Sequence, residues 1–161
     1  PNMSKSARNA IAEGIYEVFV NAQMHSQTKS IFTCGQFFPN KNKIEFTVTD
    51  IGIGFKNNIN NSFERNLSAT QAIQWAVKEG KTTKKDTPGG IGLAKLIEFI
   101  NVSKGKLQIV SNEGFYEFSN GNEKTMLFNG EFPGSIVNMQ FITNDPNYYV
   151  LKEEIDLTKI F

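Results

Sequence analysis

An acidic residue closes a strand-like stretch in the segment TVTDIGIGF, residues 47–55, and two glycines follow it. A carboxylate at the end of a strand accepts hydrogen bonds and donates none, so Asp50 suits an amine group of a bound ligand. Gly52 and Gly54 carry no side chain and would let a flat ring approach the backbone closely. Asp and Gly are also common turn residues, so a simple turn after the strand is the alternative interpretation.

A polar stripe lies along the first predicted helix, where Glu13, Glu17, Asn21 and His25 follow one another at four-residue steps. Four residues are slightly more than one turn, so Glu17, Asn21 and His25 share one edge of the helix. A carboxylate there could orient a water, and an amide oxygen could ligate a hard cation such as Mg²⁺, which prefers oxygen donors. The alternative is a helix face that simply contacts solvent.

Three glycines precede or open a later helix in the segment TPGGIGLAKL, residues 87–96. The backbone N–H groups of Gly89, Gly90 and Gly92 would point towards an anion at the helix N-terminus, where the helix dipole also favours negative charge. This pattern is typical of a phosphate-binding loop. Glycines that only end a flexible loop are the alternative.

Two better-known nucleotide motifs are incomplete. The segment GKTT, residues 80–83, resembles the end of a P-loop, but Trp75 occupies the position where that motif requires glycine. Neither glycine-bearing segment supplies the third glycine of the dinucleotide-binding fingerprint. The sequence therefore argues against a P-loop NTPase and against a nicotinamide-dependent enzyme.

Composition narrows the class of protein further. The 161 residues carry a formal net charge of +1, so no nucleic-acid partner is expected. The one cysteine, Cys34, lies in a strand-like run and is predicted to be a packed core thiol, which suits a reducing compartment. No apolar run approaches the ~18 residues of a membrane span, and the N-terminus lacks a signal-peptide core. We therefore expect a soluble, cytoplasmic domain.

Apolar periodicity predicts the order of the elements. Three helices are predicted, over residues 4–26, 68–80 and 91–102. Strands are predicted over residues 30–38 and 43–50 and in the segments KLQIVS, FYEFS, TMLFNGEF and SIVNMQFIT, with turns at NEG, NGN and PGS. The asparagine-rich segment 57–66 is predicted to be irregular.

This order predicts an α/β two-layer sandwich, or α+β fold, with a mixed, mostly antiparallel sheet covered on one face by about three helices. Residues 1–145 would form the domain. Residues 146–161 would form a C-terminal tail that packs on the same domain. The length suits a single core.

The segments EGIYEVFVNAQMHS, DIGIGF and TPGGIGLAKL, in this order, resemble the N, G1 and G2 boxes of the GHKL superfamily of ATP-binding domains. This superfamily includes gyrase, heat-shock chaperone, histidine kinase and mismatch-repair ATPase domains with the Bergerat fold. The resemblance extends over residues 7–143, nearly the whole chain. It implies a domain that binds ATP or ADP with Mg²⁺.

The resemblance also implies roles for single residues. Asn21 is similar to the N-box asparagine that ligates Mg²⁺, and Glu17 to the catalytic glutamate that activates water. Asp50 is similar to the aspartate that binds the adenine amino group, with Gly52 and Gly54 shaping the adenine pocket. A further set would contact the cofactor: Gly90, Gly92 and Leu93 at the triphosphate, and Ser135, in place of the usual threonine, near adenine. The loop Lys78–Lys85 is similar to the mobile ATP lid.

Several features depart from the kinase members of the superfamily. Met24 stands where many histidine kinases have lysine, and His25 is the only histidine, inside the N box. We therefore expect slow ATP hydrolysis or transfer of the γ-phosphate to a protein, as in a stand-alone ATPase, a serine kinase similar to anti-sigma-factor kinases, or the catalytic domain of a larger protein. A protein phosphoacceptor, a regulatory partner and a second copy of the chain are candidate partners. The alternative is a non-catalytic interaction module that binds nucleotide as a switch.

Overall fold

A computed structural model describes residues 2–78, 92–150 and 154 of the chain. The elements, in chain order, are β1 (Asn2–Met3), α1 (Lys5–His25), β2 (Ile31–Phe38), β3 (Lys43–Asp50), α2 (Gly54–Phe63), α3 (Ala69–Ala76), α4 (Gly92–Val102), β4 (Lys106–Ser119), β5 (Asn122–Ile142) and β6 (Tyr148–Tyr149). These α-helices and an antiparallel sheet confirm the predicted mixture of α and β elements.

Within the described residues, the main sheet has four strands in the order β2, β3, β5, β4, and all neighbouring pairs are antiparallel. Successive side chains of a strand point to opposite faces. On one face Val48, Val137 and Ile109 lie side by side and are almost fully buried. On the other face the Thr47 hydroxyl donates to Asn138 Oδ1 at 2.7 Å. One face therefore belongs to the core and the other carries polar side chains.

The helices contribute their apolar stripes to the core on the buried face of the sheet. Val18 and Ala22 of α1 share one cluster with Ile73 of α3 and with Leu96 and Ile100 of α4. Fully burying a side chain of the size of Leu96 stabilises the fold by roughly 1.5–3 kcal/mol. Within the described ranges, none of the helices has the length and apolarity that a membrane crossing needs.

Local serine caps set the start of two helices. The Ser4 hydroxyl accepts the N–H of Ala7 at 3.0 Å, before α1. Ser68 and Gln71 form a reciprocal capping box before α3, with distances of 3.3 and 2.9 Å. Such caps satisfy N–H groups that have no partner within the helix. Because these signals are local, the predicted starts of both helices agree with the structure.

The asparagine-rich segment 57–66 was predicted to be irregular, and this prediction is wrong because α2 covers most of it. Asparagine disfavours helix interiors by competing for backbone hydrogen bonds. Tertiary contacts offset this preference: Ile59 is buried with 1% exposed, and the first N–H groups of α2 donate to side chains of β4. α2 is thus a helix in addition to the three that the sequence predicts.

Two of the three predicted turns in the second half of the chain are also wrong. The segments NEG at 112–114 and PGS at 133–135 lie inside the long strands β4 and β5, where the pairing register shifts as in a bulge. The NGN turn is confirmed. Asn120 and Gly121 both have positive φ, at 49° and 74°, as the two-residue type I′ hairpin turn requires.

Cys34 is exposed, so its prediction as a packed core thiol is wrong. It lies in β2, which is an edge strand of the sheet and, among the described residues, pairs with β3 alone. Most of β2 is exposed, including Phe32 and Phe37. An apolar run indicates a strand but does not reveal whether the strand lies at the centre or the edge of its sheet.

The start and the end of the described chain meet. β1 and β6 pair in parallel, and the N–H of Ser4 donates to the carbonyl of Tyr149 at 2.9 Å. The Tyr149 ring packs edge-on against Phe99 at 5.5 Å. Residues 151–153 and 155–161 of the predicted tail lie outside the described residues, and the domain boundary at residue 145 stays a prediction.

Candidate functional site

A pocket opens between α1, α2, α3, the first turn of α4, the end of β3 and an inner part of β5. Most of its wall is apolar, and a few polar side chains interrupt it, which is typical of small-molecule sites. The polar side chains come from Glu17, Asn21, Ser26, Asp50, Asn58 and Ser135. Four of these were predicted as site residues from the sequence, and the fold brings them to one cavity.

Asp50 ends β3 and is only 2% exposed. The Ser135 hydroxyl donates to Oδ2 of this carboxylate, and the N–H of Gly52 donates to Oδ1 at 2.9 Å. Asp50 and Ser135 are directly opposite each other in the β3–β5 pairing, so the sheet register brings them together. A carboxylate offers roughly four acceptor positions, so these two bonds leave capacity for a donor in the pocket.

Gly52 permits a close contact between the loop after β3 and the end of α1. A Cβ on Gly52 would lie 1.9 Å from the carbonyl oxygen of Ser26. The same carbonyl accepts the N–H of Ile53 at 2.9 Å. Gly52 is not one of the described residues that line the pocket. Its contact with α1 already requires glycine, and its role in shaping a ring-binding surface stays a prediction.

Gly54 lines the pocket and also allows α2 to approach β4. Its φ is +72°, and a Cβ would lie 2.4 Å from Asn112 Oδ1 and 2.6 Å from Ser111 Oγ. These two side chains accept the N–H groups of Lys56 and Phe55 at 3.3 and 2.9 Å. Neither cap residue was predicted from the sequence: Asn112 was assigned to the NEG turn, and Ser111 was assigned to the preceding strand without a functional role. Their polarity within a buried strand was the available signal.

An ion pair ties the same turn of α2 to β4. Lys56 Nζ lies 2.6 Å from Glu113 Oε1, and both side chains are about one-third exposed. The hydrogen bond from Lys56 lowers the pKa of the Glu113 carboxyl and outweighs the opposite effect of its burial. Partly exposed pairs of this kind stabilise a fold by about 1 kcal/mol or less.

Glu17 and Asn21 lie one turn apart on α1 and both line the pocket. Both are half-buried, whereas Glu13, one turn earlier, is exposed. The predicted stripe therefore divides into two parts. Glu13 lies on a solvent-exposed face of α1, as the alternative interpretation expects, whereas Glu17 and Asn21 line the cavity.

The oxygen donors in this cavity fit a hard cation that is shared with a ligand. Within residues 2–78, 92–150 and 154, no cluster of three or more His, Cys, Asp or Glu side chains could hold a metal. Mg²⁺ commonly keeps several waters and binds through one or two protein oxygens together with substrate phosphates. Asn21 and Glu17 supply oxygens of that kind.

The apolar wall contains residues that sequence analysis did not assign to a site. Val18 and Ala22 of α1, Val48 of β3 and Val137 of β5 line the pocket, and so does Trp75 of α3. The apolar periodicity of α1 predicts that Val18 and Ala22 are core positions. Both are buried, so this prediction is confirmed. Sequence periodicity does not distinguish a side chain that fills the core from one at the boundary of a cavity.

The predicted phosphate-binding segment is described only in part. Gly92 begins α4, and Leu93 is buried and lines the pocket. Gly90 and all of the predicted lid Lys78–Lys85 except its first residue lie outside the described residues. The side chain of His25 also lies outside them.

Comparison of the chain with protein-family models gave no match, and comparison with curated proteins gave no similar sequence. The pocket geometry is compatible with the residue roles that the resemblance implies, because it places six of the predicted site residues around one cavity. Membership of the GHKL superfamily and the Bergerat fold stay predictions that rest on three sequence motifs and their order.

Proposed function

We propose that this domain binds ATP together with Mg²⁺ and either hydrolyses it slowly or transfers its γ-phosphate to a protein. The observation that carries the proposal is the buried carboxylate of Asp50 in the wall of a mainly apolar pocket. A buried carboxylate is costly unless it is hydrogen-bonded. Ser135 and Gly52 hold it in one orientation, which suits an acceptor for an exocyclic amine such as that of adenine.

The second part of the proposal concerns the other polar edge of the pocket. Asn21 would ligate Mg²⁺ through its amide oxygen, and bound Mg²⁺ would neutralise charge on the phosphate oxygens of the ligand. Glu17, one turn away, would accept a proton from the attacking water as a general base. Leu93, at the start of α4, would lie next to the phosphates, and the helix N-terminus would favour their charge.

Replacing Asn21 with Ala should remove the Mg²⁺ dependence of nucleotide binding. Calorimetric titration of wild type with ADP and a non-hydrolysable ATP analogue, with and without Mg²⁺, measures this dependence. We expect tighter binding with Mg²⁺ in wild type and equal, weaker binding in the variant, since the protein oxygen on the cation is lost. Asn57→Ala is the matched control, because Asn57 is exposed on α2 and is not a pocket residue. Unchanged Mg²⁺ dependence in Asn21→Ala would remove this residue from the metal role.

Replacing Glu17 with Ala should preserve nucleotide binding and abolish turnover. Positioned general bases contribute typically 10²- to 10⁴-fold to a rate, so phosphate release should fall by about that factor. Glu13→Ala is the control one turn away, on the exposed part of the same helix, and should retain activity. A Glu17→Ala protein that hydrolyses ATP at the wild-type rate would contradict the assignment of Glu17 as the general base.

A non-catalytic interaction module is the second candidate function. Three exposed apolar residues, Met126, Leu127 and Phe128, follow one another on the hairpin formed by β4 and β5 and favour it, since exposed apolar side chains can contact a partner. Nucleotide binding by wild type without turnover or phosphotransfer would support this second function over the first.

A further inference from the structure

Two aromatic rings and a guanidinium group form a cluster beside the pocket. The ring centroids of Phe63, at the end of α2, and Trp75, in α3, lie 5.2 Å apart with their planes at 59°. The guanidinium carbon of Arg65 lies 5.4 Å from the Phe63 centroid and 5.7 Å from the Trp75 centroid. Trp75 also lines the pocket. This cluster therefore supports one part of the pocket wall.

The backbone that presents Arg65 is held by the side chain and the main-chain carbonyl of Asn60. Asn60 donates through Nδ2 to the carbonyl of Leu67 at 3.0 Å and accepts the N–H of Leu67 at 2.9 Å. The N–H of Arg65 donates to the carbonyl of Asn60 at 3.1 Å. Although Arg65 is exposed, its main chain is tied to the last turn of α2. The link between α2 and α3 therefore places the guanidinium over the rings.

The positive charge of Arg65 is directed to the rings rather than to an acid. Within the described part of the chain, no carboxylate lies within 4 Å of its guanidinium, and the three ion pairs found there involve other residues. A cation within about 6 Å of a ring centroid is attracted by the negative face of the ring. Arg65 thus has two aromatic partners that restrict both its own position and that of the indole.

We propose that Trp75 contacts the bound ligand and that Arg65 is a positioning residue that holds the indole in place for this contact. The inference rests on the proposed nucleotide-binding function and extends it to a wall that none of the three sequence motifs contains. A half-buried aromatic side chain on the wall of a pocket offers a flat surface to a planar base or to a sugar. The ligand class is accordingly a molecule with a flat ring that an anchored indole can contact.

The chain supplies its own reporter for this contact, because Trp75 is its only tryptophan. Titration of wild type with ADP and Mg²⁺ should change the tryptophan emission saturably. The midpoint should equal the dissociation constant that calorimetry gives for the same protein. A parallel titration with adenosine tests whether the base and sugar alone produce the change.

Substitutions separate the contact from the support. Trp75→Ala should weaken ADP binding roughly three- to tenfold, because a well-packed aromatic contact is lost, while Trp75→Phe keeps a ring and should stay within about twofold. Arg65→Gln should weaken binding about two- to threefold and should alter the tryptophan emission of the ligand-free protein. Lys124→Gln, the same loss of charge on the β4–β5 hairpin, is the control that should alter neither quantity.

The outcomes distinguish this inference from the function on which it rests. Calorimetric ADP binding with unchanged tryptophan emission and unchanged affinity in Trp75→Ala would overturn the contact while leaving nucleotide binding established. Unchanged ligand-free emission in Arg65→Gln would overturn the positioning role alone. If wild type binds no nucleotide by calorimetry, the proposed function fails and the inference fails with it.

Discussion

The Asp50→Asn protein should bind ADP and the ATP analogue roughly 10- to 150-fold more weakly than wild type. This range corresponds to the loss of a hydrogen bond to a charged acceptor, about 1.5–3 kcal/mol. Asparagine can keep both local bonds if its oxygen accepts the N–H of Gly52 and its amide nitrogen donates to the Ser135 hydroxyl. The pocket then faces an uncharged amide whose nitrogen repels an amine donor. Affinity should therefore fall while the fold persists.

Calorimetric titration beside a denaturant unfolding curve tests both parts of this expectation. The free energy of unfolding should change by about 1 kcal/mol or less, because the buried polar group stays hydrogen-bonded. Ser135→Ala is an informative companion, since it retains the carboxylate and removes only the hydroxyl that orients it. We expect a smaller loss of affinity in this companion. An Asp50→Asn protein with wild-type affinity would show that Asp50 is a structural residue and not the group that recognises the ligand.

Replacing Gly52 with Ala should destabilise the domain by about 3 kcal/mol. The new Cβ would lie 1.9 Å from the Ser26 carbonyl oxygen and 2.5 Å from the Ser26 carbonyl carbon, and backbone atoms cannot rotate away as a side chain can. Forcing extra atoms into a packed site typically costs 1–3 kcal/mol, and losing the hydrogen bond from Ile53 to Ser26 adds about 1 kcal/mol. The loop after Asp50 and the end of α1 would have to separate.

Urea unfolding of Gly52→Ala and of the control Gly130→Ala measures this change in the free energy of unfolding. Among the described residues other than its own chain neighbours, no atom lies within 4 Å of a Cβ on Gly130, so this control should stay within about 0.5 kcal/mol of wild type. If Gly52→Ala is as stable as the control, the close approach to Ser26 does not limit stability. Because Gly52 also donates to Asp50, the destabilised variant should lose nucleotide affinity too, which the control should retain.

The elements that sequence analysis predicted correctly are those with local signals. Ser4 and Ser68 satisfy N–H groups within the next turn, so the start of each helix can be recognised in a few residues. The alternation in residues 43–50 predicts β3 with the bounds that the structure has. The Asn120–Gly121 pair predicts its hairpin turn because both residues tolerate positive φ.

The incorrect predictions concern contacts between distant parts of the chain. Asn112 was assigned to a turn, but its side chain caps a helix more than fifty residues earlier, and only the packed fold brings the two together. Cys34 was assigned to the core because its strand is apolar, but the strand lies at the edge of the sheet. Neither error could be avoided from periodicity, which describes one element at a time.

The features of the candidate site also divide into those that follow from local sequence and those that need the packed fold. The sequence by itself determined that Glu17 and Asn21 lie one turn apart on one edge of a helix and that Asp50 ends a strand, since both follow from the geometry of a single element. The tertiary structure alone decided that these residues line one cavity, that Ser135 reaches Asp50 through the pairing of β3 with β5, and that Trp75 completes the wall. The physical reason is that helical and strand periods are local properties. Sheet register and helix packing depend on burying apolar surface from the whole chain at once.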